Sequence, residues 1–381
     1  MPETHSSRFL TRSGKNSKTS VRIKALAIRL SMSSTKRKIG ILFHKSPFVS
    51  ANGIDQVRLR SISSGLRRLG FEVEIIAPTP KTAMLDNGIM VRPLKALSRD
   101  AGYDLIKTSY HGSVKHLSDY GGPVVSRIVR VVDNELPERD ESNRSELIAM
   151  QKIIKNRASV VVVNNEANRQ RWLDLYGDDP QVEMVPTGCP ERIPEAGENP
   201  FKDLSRNILF LGSLAAPRMV MMLNEMADRL KDIATVHLVG LNKACMYGGD
   251  ESCVLSEAVI DHGELPEKET WNYILYADLG LAFATGPHVF DNDMSKIFNY
   301  LRGGLPVLSE DPIINNSLIR EMDYGEILDF GDVEGLVRAS ATILSRGLKT
   351  RSKSVMDKMA AEHSWLRRAE VYEKIFNRLL G

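Results

Sequence analysis

Cysteine is scarce in this chain of 381 residues: Cys189, Cys245 and Cys253 are the only three. An odd, sparse set without zinc-type spacing excludes a disulfide framework and a cysteine-built metal site, and it fits a reducing cytoplasm. Long apolar runs are missing as well. No stretch approaches the roughly 20 apolar residues of a bilayer-crossing helix, which excludes a spanning segment. His44, His111, His116, His237, His262, His288 and His363 form no H-E-x-x-H pattern, so metal catalysis has no support. No G-x-S-x-G elbow occurs, which discounts a serine hydrolase. The first glycine loop carries Asn52-Gly53 and no full G-x-G-x-x-G, which argues against a nicotinamide dehydrogenase. Aromatic residues make up 6% and are not interleaved with a basic patch, so nucleic acid is not an expected partner.

What remains is an ordinary globular composition, 42% apolar and 26% charged. The length exceeds what one core usually serves, so two domains are expected. Charge is uneven. Residues 1–38 hold ten Lys or Arg against the single acid Glu3, a surplus of nine, so the rest of a chain at +3 carries −6. Residues 1–37 read as a basic extension, with Val21–Met32 a candidate amphipathic helix on anionic lipid. The extension is a targeting segment, a lipid-resting tail or a disordered stretch without a role, or translation starts at Met32. The folded pattern begins at Lys38.

From there strand and helix signals alternate. Lys38–Phe43 reads as a buried strand, Ile54–Leu69 as a helix ending at Gly70, and Glu72–Ala77 as a second strand. Strand, glycine loop, helix, strand is the crossover unit of a doubly wound sheet. Further strands are expected at Asp104–Lys107, Pro123–Ile128, Ser159–Val163 and Val182–Pro186, about six in all. A Pro- and Gly-bearing linker over 191–205 follows a first domain of 38–190. The alternation restarts in a second domain of 206–348 and ends in a helical segment over 349–381. The fold class is therefore α/β, with two doubly wound, Rossmann-like domains facing a cleft and a C-terminal helix. Ligands belong at the carboxyl ends of the strands. The Met219–Met226 run reads as core packing, and Cys189 as a small buried residue or a reactive thiol.

Ser295–Ser309, SKIFNYLRGGLPVLS, is the stretch on which the second domain turns. It predicts a short helix capped by Asn292 or Asp293, closed by a left-handed Gly303, and followed by an inner strand. Lys296 falls in the first turn, where the helix dipole favours anions over cations. Either it meets an anion brought from outside, or it is a solvated lysine.

In order and wording these segments resemble the glycosyltransferases of the B-type fold (GT-B), group 1, family 4-like, over roughly residues 38–380. Five places carry the resemblance. They are KIGILF followed by NGIDQVRLRSISSGLRRLGFEVEII; VVVVNNEANRQRWLDLYG followed by VEMVPTG; NILFLGSLAAPRM; AVIDHGELPEKETWNYILYADLGLAF; and SKIFNYLRGGLPVLSED. The last two in tandem are the most specific.

The resemblance implies a nucleotide-diphosphate sugar donor in the cleft, transfer to a hydroxyl acceptor with retention at the anomeric carbon, and no metal or other cofactor. The family's Gly-Arg-x-x-x-x-Lys pattern falls here on Gly212, Ser213 and Arg218, so one cation is lost and one becomes arginine. Lys296 is placed to supply a replacement charge for the leaving diphosphate. Two family glutamates eight residues apart correspond to Asp291, facing the donor sugar, and Asn299, facing the nucleoside. Gly53 matches the front-loop glycine near the phosphates, and Gly263 with Glu264 the region gripping the base. The family's first-domain histidine has no counterpart at Arg127–Arg130. The set expected to do the chemistry is thus Asp291, Lys296 and Arg218, with Gly53, Gly212, Ser213, Gly263, Glu264, Ser295 and Asn299 binding the donor. The basic residues Arg127, Arg130, Arg218 and Lys296 suit an anionic donor such as a uronic acid nucleotide. Acceptors in the family are commonly lipid-linked or growing surface polysaccharides, consistent with a cytoplasmic enzyme resting on the inner membrane face. The competing expectation is a non-catalytic relative that binds a nucleotide sugar as a scaffold.

Overall fold

The computed structural model describes residues 36–48, 53–98, 102–117, 120–134, 141–201, 206–244, 253–287, 293–346 and 351–381. The extension over 1–35 lies outside the described residues, as do Asn52, Cys245, His288, Asp291 and Asn292.

Segments such as Val160–Val163 are apolar on both faces, and only the interior of a parallel sheet covered on both sides accommodates them. In the first half, β1 (Lys38–Leu42) is followed by helix α1 (Ile54–Arg68), β2 (Glu72–Ala77), β3 (Ala83–Met84) and β4 (Met90–Pro93). Then come β5 (Leu105–Thr108), β6 (Val124–Arg127), α2 (Glu141–Arg157), β7 (Val160–Val163), α3 (Glu166–Tyr176) and β8 (Gln181–Met184). They form one eight-stranded sheet, ordered β3-β4-β2-β1-β5-β6-β7-β8 and parallel except where β3 pairs with β4. The expectation of about six strands is corrected by this edge. Runs of two and four residues, the second closing on Pro93, are too short for a periodicity to show.

The second half repeats the pattern. It runs β9 (Arg206–Leu211), α4 (Pro217–Leu230), β10 (Ala234–Val239), β11 (Val259–Asp261), α5 (Glu267–Tyr276) and β12 (Leu279–Ala282). It continues with α6 (Ser295–Arg302), β13 (Val307–Glu310), α7 (Asn316–Met322), β14 (Gly325–Leu328) and α8 (Val333–Ser345). The six strands are all parallel, ordered β11-β10-β9-β12-β13-β14. One face is covered by α4 and α8 through Met219, Met222, Met226 and Leu336, so the methionine run is core; of its four methionines only Met221 points out. The other face is covered by α5, α6 and α7 through Trp271, Ile297, Phe298 and Leu318. Two doubly wound, Rossmann-like layers therefore make up Lys38–Gly381. Among the described residues no helix is long and apolar enough to cross a membrane.

The C-terminal segment is two helices, α9 (Lys353–His363) and α10 (Trp365–Leu380), broken at Ser364. Val355 and Met359 of α9 join the second-half core, whereas Trp365, Ala369, Tyr372, Ile375 and Phe376 of α10 join the core under α1 and β1. The chain thus passes between the halves twice, and the two passages lie side by side. Cys189 N–H donates to the His363 carbonyl (3.0 Å) and Trp365 N–H to the Cys189 carbonyl (2.8 Å). The linker after the first passage is fixed on α5, with Gly197 N–H donating to Asn272 (2.9 Å) and Tyr276 to the Gly197 carbonyl (2.8 Å).

Two local expectations at α6 are corrected. Gly303 keeps an ordinary φ of −82°, and Gly304 takes the left-handed position at φ +67°. Leu305 N–H reaches the Tyr300 carbonyl (2.9 Å) and Gly304 N–H the Leu301 carbonyl (3.0 Å), which is a Schellman closure one residue later than expected. At the other end Met294 occupies the N-cap with no side-chain cap, because the Asp293 carboxylate is turned to Asn164 across the cleft.

Candidate functional site

A cleft of about 380 Å³ lies at the carboxyl ends of β9 and β10 and is closed from the first half by Gly53, Ile54 and Val57. Its floor is a row of strand ends. Gly212, Gly240 and Gly263 follow β9, β10 and β11, and all have positive φ (99°, 152° and 67°). Gly240 N–H donates to the Gly263 carbonyl and Gly212 N–H to the Val239 carbonyl, each at 2.8 Å, and Gly263 N–H donates to the Asp261 carboxylate (2.9 Å), so the row is pinned along its length. A Cβ at Gly240 would sit 2.1 Å from the Gly212 carbonyl oxygen, so the two strand ends meet only because residue 240 carries no side chain. Gly212 and Gly263 were expected from the sequence; Gly240 was not, although its place at the end of an apolar strand was the available signal.

One wall is the start of α6. Tyr300 fixes that helix to β9: its hydroxyl accepts from Leu211 N–H (2.7 Å) and donates to the Leu209 carbonyl (3.1 Å). Arg302, two residues on, ties the same last turn to the first passage through the carbonyls of Pro190 (2.9 Å) and Glu191 (2.8 Å). The helix is therefore held by its C-terminal turn, and its Ser295, Lys296 and Asn299 face the cleft. Lys296 is 8% exposed, and among the described residues no hydrogen bond or ion pair holds its ammonium. Its Nζ lies 3.6 Å from the centroid of the Phe210 ring, close to Gly212. Burial alone pulls this lysine down to about 7. Burial sets the solvated alternative aside: this lysine sits in the cleft wall with its charged form disfavoured by desolvation. Two helix starts without side-chain caps, those of α1 at Gly53 and α6 at Met294, border the same space. Backbone N–H groups, helix dipoles and an unpaired ammonium converge there, which is the chemistry of an anion site.

The other expected residues divide. Ser213 and Glu264 line the cleft, and Gly53 does too, although a Cβ there would meet nothing within 4 Å and its backbone is extended. Glycine is thus not required at 53 by the observed geometry. Gly263 supports the floor beside Glu264 without lining the space itself. Asp291 lies outside the described residues.

Arg218 is not brought to the cleft. It forms a bidentate pair with Glu310 (2.5 and 3.0 Å), donates to the Ala284 carbonyl, and stacks its guanidinium 4.0 Å over Phe330. Glu310 has no exposed surface, so a buried carboxylate fully engages the arginine. Most of the lining was missed by sequence reasoning, Gly240, Asp293 and Trp365 among it. Trp365 arrives from α10, far along the chain, with its ring against Gly188, where a Cβ would stand 2.9 Å from it. No local signal announces that.

A second cavity, of about 270 Å³, adjoins the first and shares Ile54, Asp293 and Ser295 with it. Its walls come from the first half: Asp55 and Arg58 of α1, Tyr110, Arg130, Asn164 and Thr187. Tyr110 stacks on His44 at 4.6 Å. Burial takes the His44 and His111 imidazoles below their usual range, His111 to about 4, so both are neutral at pH 7. Behind this wall, at the ends of β5 and β6, stand Lys107 and Arg127, each 1% exposed.

No known protein-family profile matches the chain, and no curated protein matches it by sequence. Solved structures do match its shape. Sucrose-phosphate synthase from Thermosynechococcus elongatus superposes with a TM-score of 0.68 at 14% identity, over 90% of this chain and 99% of that one. Anabaena HepE, solved in complex with UDP-glucose, gives 0.66 at 14% identity over 90% and 100%. A glycosyltransferase from Rickettsia africae gives 0.65 at 13% identity over 91% and 99%. The class the structure defines is therefore the two-domain GT-B fold with its C-terminal helix.

Proposed function

We propose that this protein is a glycosyltransferase that takes a sugar from a nucleotide-diphosphate donor and passes it to a hydroxyl acceptor. One observation carries the reading: the unpaired, buried ammonium of Lys296 at an uncapped helix start, facing a second uncapped helix start across the cleft. In the reaction the bond from the anomeric carbon to the diphosphate oxygen breaks, a bond to the acceptor oxygen forms, and the proton of the acceptor hydroxyl passes to the departing diphosphate. Negative charge then grows on the departing diphosphate, where Lys296 and the two sets of N–H groups offset it in a site shielded from water. Asn299 and Glu264 offer hydrogen-bonding groups to the ribose and base, and Asp291 to the donor sugar. Anabaena HepE, of the same fold, holds UDP-glucose, which supports a uridine donor as the first to try.

The finer reading follows the resemblance. Transfer retains configuration, needs no divalent metal because fixed charges serve the diphosphate, and builds a surface polysaccharide or glycoconjugate on a saccharide or lipid-linked acceptor. Thermal unfolding of the full chain with UDP, GDP, ADP and their sugars, with magnesium or with EDTA, tests it. The expected result is a rise in Tm with one nucleotide series, equal in magnesium and EDTA, and lost in Lys296→Ala. A rise that requires magnesium removes the metal-free reading; a rise that survives Lys296→Ala removes the assigned diphosphate seat.

Arg218 favours a second reading, a relative that binds the donor without transfer. Its guanidinium is committed to Glu310, and Ser213, beside it in the expected pattern, is uncharged. Release of free nucleotide from the bound donor in the presence of acceptors separates the two: turnover supports transfer, and binding without release supports the scaffold.

A further inference from the structure

Lys107 of β5 and Arg127 of β6 lie on the same face of their sheet, because Lys107 is in register with Val125, two residues before Arg127. That face is the one α1 and α10 cover. Those helices bring Arg58 and Tyr372, and all four side chains are more than nine-tenths buried. The four are neighbours. The Lys107 ammonium lies 4.6 Å from the centroid of the Tyr372 ring, and Arg58 and Arg127 each act electrostatically on Lys107 and on Tyr372. Among the described residues their donors go unmet. Both terminal nitrogens of Arg127, Nε of Arg58 and the Tyr372 hydroxyl are buried without a hydrogen-bond partner. The Lys107 ammonium donates only to the Thr108 carbonyl (3.2 Å). The carboxylates within electrostatic reach of Arg127 are engaged elsewhere, Asp55 with Nη1 of Arg58 (3.1 Å) and Asp293 with Asn164. A guanidinium left dry and unpaired is strongly destabilising, and three cationic side chains around one spot compound the cost.

We propose that Arg58, Lys107, Arg127 and Tyr372 form a closed seat for one small monovalent anion of halide size, clamped between the first-half sheet and α10. Every unmet group in the cluster is a donor. Burial raises the Tyr372 phenol, so its hydroxyl keeps its proton and donates as well. None of Lys107, Arg127 and Tyr372 lines either cavity described above, so the space is enclosed and too small for a nucleotide, a sugar or a phosphate ester. Arg58 also lines the second cavity, which gives the ion its way in. Burial and Arg58 bring Arg127 down to about 10, and burial with the two arginines takes Lys107 well below its usual range. A resident anion offsets both effects. The seat is separate from the donor cleft, which none of its four residues lines, and it stands whether or not that cleft takes a nucleotide sugar. Its effect is on the molecule: the ion joins β5, β6 and α1 to the returning helix α10.

Thermal unfolding of the full chain at constant ionic strength, with sodium chloride or bromide replacing sodium gluconate step by step, tests the proposal. Ion chromatography of the gluconate sample checks that no halide is carried over. The expected result is a rise in Tm of about 3 °C or more that saturates in the millimolar range. Phosphate in place of halide is expected to give no saturable rise. Lys107→Met removes one of the clustered cations, so it is expected to raise the half-saturating halide concentration about tenfold or more and to melt no lower than wild type in gluconate. Tyr372→Phe removes a single donor and is expected to raise that concentration about threefold or more. Equal Tm in halide and in halide-free gluconate overturns the proposal. So does a rise that never saturates, a saturable rise with phosphate alone, or unchanged halide dependence in the variants. Should Lys107→Met fail to fold, Tyr372→Phe and the wild-type titration decide.

Discussion

Lys296 is a residue whose presence weakens the molecule it sits in. An unfolded lysine titrates at 10.5, whereas this one is held to about 7 by burial. Between those values the unfolded chain binds the extra proton and the folded chain does not, so stability rises with pH over that window and the full penalty applies below about 7. Lys296→Met is accordingly expected to raise stability by on the order of 3 kcal/mol at pH 6.5, at about 1.4 kcal/mol per unit less about 2 kcal/mol for the cation–π contact, and by much less at pH 10.5. Urea unfolding at the two pH values reads this difference. The same variant is expected to lose nucleotide affinity tenfold or more. Wild-type affinity should fall as pH rises above about 7, because the diphosphate needs the protonated form. Cys189 illustrates the opposite case, a residue that looks chemically capable and is not. Burial pushes its thiol up to about 12, and its Sγ sits 3.5 Å from the Met359 carbonyl. Native protein treated with iodoacetamide at pH 8 should give a Cys189 peptide that is unlabelled by mass spectrometry.

Single elements are joined by groups the sequence shows only as letters. Glu310 at the end of β13 accepts from Arg218, from Ala284 N–H (2.7 Å) after β12 and from Gly331 N–H (2.8 Å) before α8, so one carboxylate ties three segments and a helix start. Arg218→Met leaves that carboxylate buried without its charge partner. A loss of about 3 kcal/mol in unfolding free energy is expected, with nucleotide affinity unchanged, which a diphosphate-binding arginine would not allow. Gly240→Ala acts on the floor instead: the methyl cannot coexist with the Gly212 carbonyl oxygen 2.1 Å away, so the strand ends must part. Both stability and nucleotide binding should fall, as thermal unfolding with and without UDP will show. Elements with strong periodicity, such as β7, α4 and β12, were readable because an apolar run or a helical stripe has one stable burial. Gly240 and Asp293 were not, since a close backbone approach and a carboxylate turned across the cleft are set by which strand ends become neighbours. Arg218 was legible as a residue in a pattern, whereas its pairing with Glu310 was not, because that partner lies 92 positions away.

The molecule as a whole depends on the second passage of the chain. α10 covers the first-half sheet with Trp365, Tyr372, Ile375 and Phe376, each nearly or fully buried. Burial of four such side chains contributes several kcal/mol by the usual ~1.5–3 kcal/mol each, comparable to the net stability of a domain. A chain ending at His363 is therefore expected to lose cooperative unfolding of the first half and to bind hydrophobic dyes. Returning residues 364–381 as a separate peptide should restore part of the transition. From the sequence, the helical character of this segment and its apolar stripe were evident. The half it belongs to was not, because nothing in an amphipathic pattern states which surface it will cover.

The paired passages at Cys189 and Ser364 also set rules for recombination. Neither half is a contiguous cassette: the first consists of residues up to about the first passage together with α10, and the second lies wholly between. A chimera that grafts a foreign second half onto this first half must be inserted between positions near 189 and 364, keeping the native tail. One spliced at a single junction would set a foreign helix against α1 and fail before its specificity could be asked.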